Sequence, residues 1–341
     1  MLNKNAGQVS LTVFALIAVI LFFQADLTAQ EEAKAGAMDE ALASQEAAQP
    51  QSLPPQVPEE EVPEFRKKLK LAISEKESIE EEDLTPFTYE SYARYLPSRK
   101  VSAQSGKVEL IDTMSEYSYE YKLFGRLPLE FSFQHEYISV NNSTVVKLPA
   151  HLTSFSFGLD ATVPFLNLKN TYFRIGVSPG FNTDNWSFYE NSFRIPQRYF
   201  AIYQPDKKFT AILGFAFFPR YRTAFLPIAG IIYKPNDKWL FNLIPSRPTV
   251  EYKFNSKLTA FAEYSGTRAD FVVTKDDIKG TVLQYEEQHA GAGLRYNFNK
   301  NIMASLAAGG AFFNKLQYRD SLGKVRPDSG FYTEFRMEID L

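Results

Sequence analysis

The sequence predicts an all-β protein: an antiparallel transmembrane β-barrel of about 12–14 strands, preceded by a signal peptide and a disordered linker. Three observations carry that reading. First, Gly330 to Leu341 alternates strictly: Phe331, Thr333, Phe335, Met337, Ile339 and Leu341 share one face, and Tyr332, Glu334, Arg336, Glu338 and Asp340 share the other. A period of two puts one face of a strand in an apolar medium and the other in a polar one. Second, aromatics reach 15%, with 30 Phe and 19 Tyr, yet mean hydropathy is negative. Alternating barrel strands give this combination, because apolar residues are confined to the outer face. Third, short turns alternate with longer connections along most of the chain.

The N-terminal third explains itself by composition. Leu11 to Phe23 is an apolar run behind a short stretch with one Lys, and Ala29 offers a small residue for cleavage. Residues 1–29 therefore form a secretory signal peptide. An uncleaved inner-membrane anchor is the competing reading, although the run is shorter than the ~20 residues a spanning helix needs. Residues 30–64 are rich in Ala, Glu, Gln and Pro and carry no aromatic until the last position has passed. Such a segment buries too little to offset its chain entropy and is expected to be disordered. Residues 65–97 form a charged periplasmic segment, in which Phe65, Leu69 and Ile73 repeat at helical spacing. A short amphipathic helix and a solvated charged segment both fit. The barrel is expected from 98 to 341.

Within it, alternation recurs. Leu127, Leu129, Phe131, Phe133, His135 and Tyr137 oppose Glu130, Ser132, Gln134 and Glu136. Phe155, Phe157, Leu159, Ala161 and Val163 oppose Ser156, Gly158, Asp160 and Thr162. Ala290, Ala292, Leu294, Tyr296 and Phe298 oppose His289, Gly291, Gly293, Arg295 and Asn297. Gly, Pro, Asn and Asp mark six short turns: Phe124 to Arg126, Pro164 to Asn170, Gln204 to Lys208, Lys234 to Asp237, Asn255-Ser256, and Asn299 to Asn301. Long connections are expected at Asn141 to His151, Ser178 to Gln197, Pro219 to Leu226, Gly266 to Gly280 and Asn314 to Ser329. Ile244 to Pro248 is a short link where a long one was due. Six hairpins, the terminal strand and a first strand at Lys107 to Met114 give about fourteen strands, an even number as closure requires. A soluble β-sandwich is the alternative fold.

The terminal strand resembles the closing strand of bacterial outer-membrane barrels, which the barrel-insertion machinery reads. Leu341 stands where that group usually has Phe. The stretch Ile231 to Tyr252, with a Tyr, an Asn-Asp turn, a Trp strand, a Pro-rich corner and a Val-x-Tyr strand, is similar to a family of uncharacterised outer-membrane β-barrel proteins. That resemblance implies a barrel in the bacterial outer membrane, surrounded by its lipid, over roughly Thr153 to Leu341. It brings no catalytic residues.

Composition excludes several function classes. A net charge of −3 gives no reason to expect nucleic acid, and the absence of cysteine excludes disulfides, thiolate metal sites and an N-terminal lipid-bearing cysteine. The three histidines, His135, His151 and His289, lack metal-ligand spacing. No metal, cofactor or catalytic residue is expected. His135, Glu136 and Ser139 are the only local set resembling a hydrolase, but adjacent strand residues face opposite ways, so Glu136 cannot orient His135. Tyr189, Tyr199, Tyr203, Trp186, Trp239, Phe188 and Phe193 fall near strand ends, as membrane-interface belts do. The charges expected to face the lumen are Glu130, Glu136, Asp160, Glu251, Lys253, Glu263, Arg295, Glu334, Arg336 and Glu338. The function these features suggest is a passive pore or transport-related barrel for small solutes. A closed structural barrel that binds through its outer loops, and a lipid-modifying enzyme, are the alternatives.

Overall fold

The computed structural model describes residues 87–341 except 124–126, 166–167, 185–189, 220–223, 276–277 and 320–321. The signal peptide, the linker and residues 65–86 of the charged segment lie outside the described residues.

Among the described residues, seventeen strand segments form one sheet. They are β1 (Phe87–Lys100), β2 (Lys107–Leu123), β3 (Leu127–Asn142), β4 (His151–Pro164), β5 (Thr171–Val177), β6 (Gly180–Thr183), β7 (Phe193–Arg194), β8 (Gln197–Tyr203), β9 (Phe209–Phe217), β10 (Phe225–Asn236), β11 (Trp239–Asn242), β12 (Thr249–Lys253), β13 (Leu258–Lys275), β14 (Ile278–Asn297), β15 (Ile302–Tyr318), β16 (Lys324–Val325) and β17 (Gly330–Asp340). β1 pairs with β17 from Thr88↔Asp340 to Tyr95↔Thr333, and with β2 on its other side. The sheet therefore closes into a barrel and its first and last strands have no free edge. Counted as wall strands there are fourteen. β5 and β6 are one strand broken at Pro179, β7 and β8 one strand broken at Pro196, and β16 only caps the top of β15. Proline has no N–H to give to a ladder, and these two breaks sit side by side, with Ser178 N–H donating to Pro196 O at 2.8 Å.

The expected count is met by a different route. Lys107 to Met114 and the residues from Tyr117 are a single strand, β2, and the missing partner is β1, which starts at Phe87 rather than after 98. The outward face of β1 carries Ser91 and Ala93 between Tyr89 and Tyr95, so its alternation is muted beside that of β17. Gly266 to Gly280 is likewise no loop: β13 and β14 run through it in continuous register from Leu258↔Tyr296 to Val273↔Thr281. Its polar residues are paired within the barrel, as in Arg268–Glu286 at 2.9 Å and Arg319–Asp270.

The outer face is apolar. Phe131, Phe157, Leu213, Phe215, Leu294, Leu306, Phe331 and Phe335 are exposed. Near the short turns stand Tyr203, Tyr233, Trp239, Phe254, Tyr296 and Phe298, and near the opposite rim Tyr95, Tyr137, Phe217, Phe225 and Phe331. Two aromatic belts flanking an apolar band of Phe and Leu match a bilayer and its two interfaces.

The wall is uneven. β1–β4 and β13–β15 run 14–20 residues, whereas β5, β8, β9, β11 and β12 run 4–9. At the mouth, β6 pairs with β4 and also meets β13 in parallel at Val272↔Thr183. Asn182 Nδ2 donates to Asp270 O at 3.1 Å, and Thr274 N–H donates to Asp184 Oδ2 at 2.8 Å. β4 and β13 lie far apart around the wall, so this seam crosses the mouth and gathers the tall strands into a smaller ring. The ring is filled by an apolar core that includes Leu96, Leu110, Ile138, Leu152, Phe271, Leu283, Leu316 and Tyr318. A second apolar core, with Phe200, Ile202, Ile212, Ile228, Ile232 and Ile244, lines the inside of the short wall.

Candidate functional site in the barrel lumen

Below the apolar ring the lumen is crossed by ion pairs. Inward positions alternate with outward ones, so Tyr92 and Arg94 on β1, Asp112 on β2, Glu287 and His289 on β14, and Tyr332, Glu334 and Arg336 on β17 all point to the interior. Arg94 is completely buried. Its guanidinium reaches Asp112 at 3.1 Å, Glu287 at 3.3 Å and Glu334 at 2.8 Å. Asp112 and Glu334 sit on the strands flanking β1, but β14 is three strands away, so the Arg94–Glu287 contact spans the lumen. Tyr92 Oη donates to Asp112 at 3.1 Å and to Glu136 at 3.3 Å. Arg336 pairs with Glu334 and lies 3.8 Å from both Glu90 and Glu263. Arg247, in the link after β11, pairs with Glu263 and approaches Glu334 at 4.0 Å.

Nearer the short turns a second set follows one level around the wall. Glu130, Asp160, Gly176 and Arg198 are successive register partners. Arg174 reaches Glu130 at 2.6 Å and Asp160 at 3.3 Å, and Arg198 reaches Asp160 at 3.0 Å. Gly176 makes the last contact possible, since a Cβ there would collide with Asp160 Oδ1. On the far wall Arg295 grips Glu251 with two nitrogens at 2.7 and 3.1 Å, the bidentate fork that favours arginine over lysine.

Among the charges expected to face the lumen, the fold buries Glu130, Glu136, Asp160, Glu263 and Glu334, and half-buries Glu251, Arg295, Arg336 and Glu338. Lys253 is exposed, near the Asn255-Ser256 turn. His135 faces outward, stacked on Phe155 at 4.5 Å with Nε2 3.2 Å from Thr153 Oγ1, while Glu136 turns inward to Tyr92. The two do not meet. Arg94, Asp112, Arg174, Arg198, Arg247 and Glu287 are lumen residues that the sequence reading passed over. Arg94 fell on the far side of the expected barrel boundary, and Arg247 lies in a proline-flanked link with no alternation to show its direction. Of the aromatic positions expected at interfaces, Tyr199, Tyr203, Phe193 and Trp239 are described, and Tyr203 and Trp239 are exposed on the outer face; Trp186, Phe188 and Tyr189 lie outside the described residues.

One arrangement has no counterpart in the sequence spacing. Glu263, His289 and Glu334, from β13, β14 and β17, are all buried, and each offers a ligand atom within 4.8 Å of the others. Tyr332 packs edge-on against His289 with ring centroids 4.9 Å apart.

The geometry can be set beside known proteins. Residues 128–334 match the model of a family described as Domain of unknown function (DUF6268). The chain belongs to that family. Among curated proteins none matches it significantly. Solved structures similar to this DUF6268 barrel include an outer membrane channel from Pseudomonas putida F1, at 12% identity and a TM-score of 0.42, covering 74% of this chain and 94% of that one. The toluene transporter TodX of Pseudomonas putida is similar at 9% identity and a TM-score of 0.36, covering 76% and 90%. LpxR from Salmonella typhimurium is similar at 9% identity and a TM-score of 0.35, covering 75% and 100%. Likeness this distant assigns no solute and no reaction. The closed antiparallel barrel with its apolar outer band is that of a bacterial outer-membrane protein.

Proposed function

We propose that this DUF6268 protein is an outer-membrane channel for small solutes, held closed by its own lumen side chains. The observation that carries the reading is the ion-pair layer that crosses the lumen at Arg94. Burying an ion pair contributes little net stability compared with apolar packing of the same volume. A barrel needing only to be closed gains nothing from a charged layer below an apolar one. Charged groups that can trade one another for water and solute suit a constriction that opens. Passage would follow the polar positions from the Glu130–Arg174–Asp160–Arg198 set upward and would require the mouth seam at Thr183 and Val272 to part.

A closed barrel that binds at its mouth is the second reading, favoured by the packed apolar ring above the ion pairs. One experiment separates the two. The chain has no cysteine, so Thr183→Cys/Val272→Cys introduces a disulfide across the seam with no competitor. In planar bilayers the oxidised double variant should stay silent and the reduced form should conduct in bursts. If the parent, the reduced double variant and the seam-weakened Asn182→Ala variant all remain silent, the channel reading falls.

A further inference from the structure

We infer that the lumen holds a divalent transition-metal site built from Glu263, His289 and Glu334, with zinc the ion that best suits its nitrogen and oxygen donors. Three different strands supply the ligands, and each position is inward by register: Glu263 pairs with Gly291 on β14, His289 with Ala311 on β15, and Glu334 with Ala307 on β15. The facing residues are Gly or Ala, which leaves the space between β13, β14 and β17 to the three ligand side chains and Tyr332. Their ligand atoms lie within 4.8 Å of one another. Zinc binds imidazole nitrogen and carboxylate oxygen at about 2.0–2.2 Å, so a small inward movement of each group is enough to close on one ion.

A second observation points the same way. Tyr332 is fully buried, and among the described residues its Oη has no hydrogen-bond partner. That hydroxyl reaches over Gly291, the register partner of Glu263, to where a Cβ on Gly291 would strike it. A buried hydroxyl without a partner is costly, and here it is directed at the space beside Glu263 and His289. Glu263 Oε1 is also without a hydrogen bond, because Arg247 takes the carboxylate through Oε2 and Arg336 stands 3.8 Å from Oε1. An ion bound by Glu263 Oε1 would give both atoms a partner, with the Tyr332 hydroxyl at the ion or on a water held by it.

The nearby guanidiniums do not forbid a cation. Among the described residues, the ion pairs of this layer join Arg94, Arg247 and Arg336 to Glu90, Asp112, Glu263, Glu287 and Glu334. Each of these guanidiniums is already held by carboxylates, so a cation at the site would meet paired rather than bare positive charge. The imidazole favours zinc and its neighbours over calcium or magnesium, which prefer oxygen alone. The site is independent of whether the barrel conducts: an ion there would tie β13, β14 and β17 together across the lumen.

The test uses the full barrel folded in detergent, stripped with chelator and titrated with Co²⁺ and Zn²⁺ alone. The expected result is one equivalent bound, a visible Co²⁺ absorption band, and displacement of Co²⁺ by Zn²⁺. His289→Gln should weaken binding by more than the ~10–100-fold that loss of a supporting group costs, while unboiled gel mobility shows that the barrel still closes. His135→Gln/His151→Gln leaves His289 as the sole histidine and should bind as the parent does. Absence of binding to the folded parent overturns the proposal. So does binding that survives His289→Gln, or that disappears in His135→Gln/His151→Gln. If His289→Gln does not fold, the parent and the double variant still decide the matter.

Discussion

Replacing Arg94 by Met should be among the most damaging single changes in the barrel. Arg94 is wholly buried and its guanidinium serves three carboxylates, Asp112, Glu287 and Glu334, at 2.8–3.3 Å. Methionine fills most of the space but leaves those carboxylates without this counter-charge. Breaking a buried pair by removing one partner costs about 3–5 kcal/mol, and three partners argue for the upper part of that range. At about 1.4 kcal/mol per tenfold, the folded-to-unfolded ratio falls by about 140- to 4,000-fold. The measurement is urea unfolding from lipid vesicles, followed by gel mobility without boiling and by tryptophan fluorescence. Arg94→Met/Glu334→Gln should recover part of the loss, because one orphaned charge is removed with its partner. A variant within about 0.5 kcal/mol of the parent, as for an ordinary surface change, would mean that Arg94 faces water in an open lumen. The ion-pair layer would then not be a buried constriction.

Three further outcomes follow from the same geometry. Phe335 is exposed at the centre of β17, so Phe335→Arg should lose about 2–4 kcal/mol of folding into vesicles and Phe335→Leu very little; equal yields would reverse the face assignment. Gly176→Ala should cost about 1–3 kcal/mol by overpacking and part Asp160 from Arg198, and unchanged urea stability would show that the level is loose enough to absorb a methyl group. At the mouth, burial lifts the Asp184 carboxyl above its usual range, against the opposing pull of the Thr274 N–H and nearby His151. A raised acid stabilises the fold below its unfolded pKa and loses that contribution as pH climbs through the folded value. The seam should therefore exchange amide hydrogens at Val272 to Thr274 more readily, relative to a fixed-pH intrinsic rate, above that window than below it, and Asp184→Asn should flatten the dependence; an equally steep profile in that variant would assign it to another group.

How much was legible depended on whether a residue's environment repeats along its own strand. β17, β3 and β4 face lipid on one side over their membrane-spanning lengths, so Phe331, Thr333 and Phe335, or Phe131 and Phe133, stand at every second position and expose the fold directly. Glu130, Asp160, Glu263 and Glu334 are marked as inward by the sequence because they occupy the other phase of that alternation. β1 was hidden by Ser91 and Ala93, which are small enough to sit outward without marking a lipid face. The tops of β13 and β14 read as a loop over Gly266 to Gly280 because Thr267, Arg268 and Asp270 are polar, although Arg268 and Asp270 find their partners, Glu286 and Arg319, within the barrel.

The sequence by itself determined the class of fold, the even strand number, the turns and the phase of most strands, because each of these is a local property of period and turn chemistry. Only the tertiary structure decided what the lumen contains. Whether Arg94 meets Glu287, whether Thr183 reaches Val272, and whether His289 stands between Glu263 and Glu334 all depend on closure and shear. Those set which inward residues of distant strands share a level. Alternation tells a side chain to point inward; the barrel's curvature and register choose what it finds there.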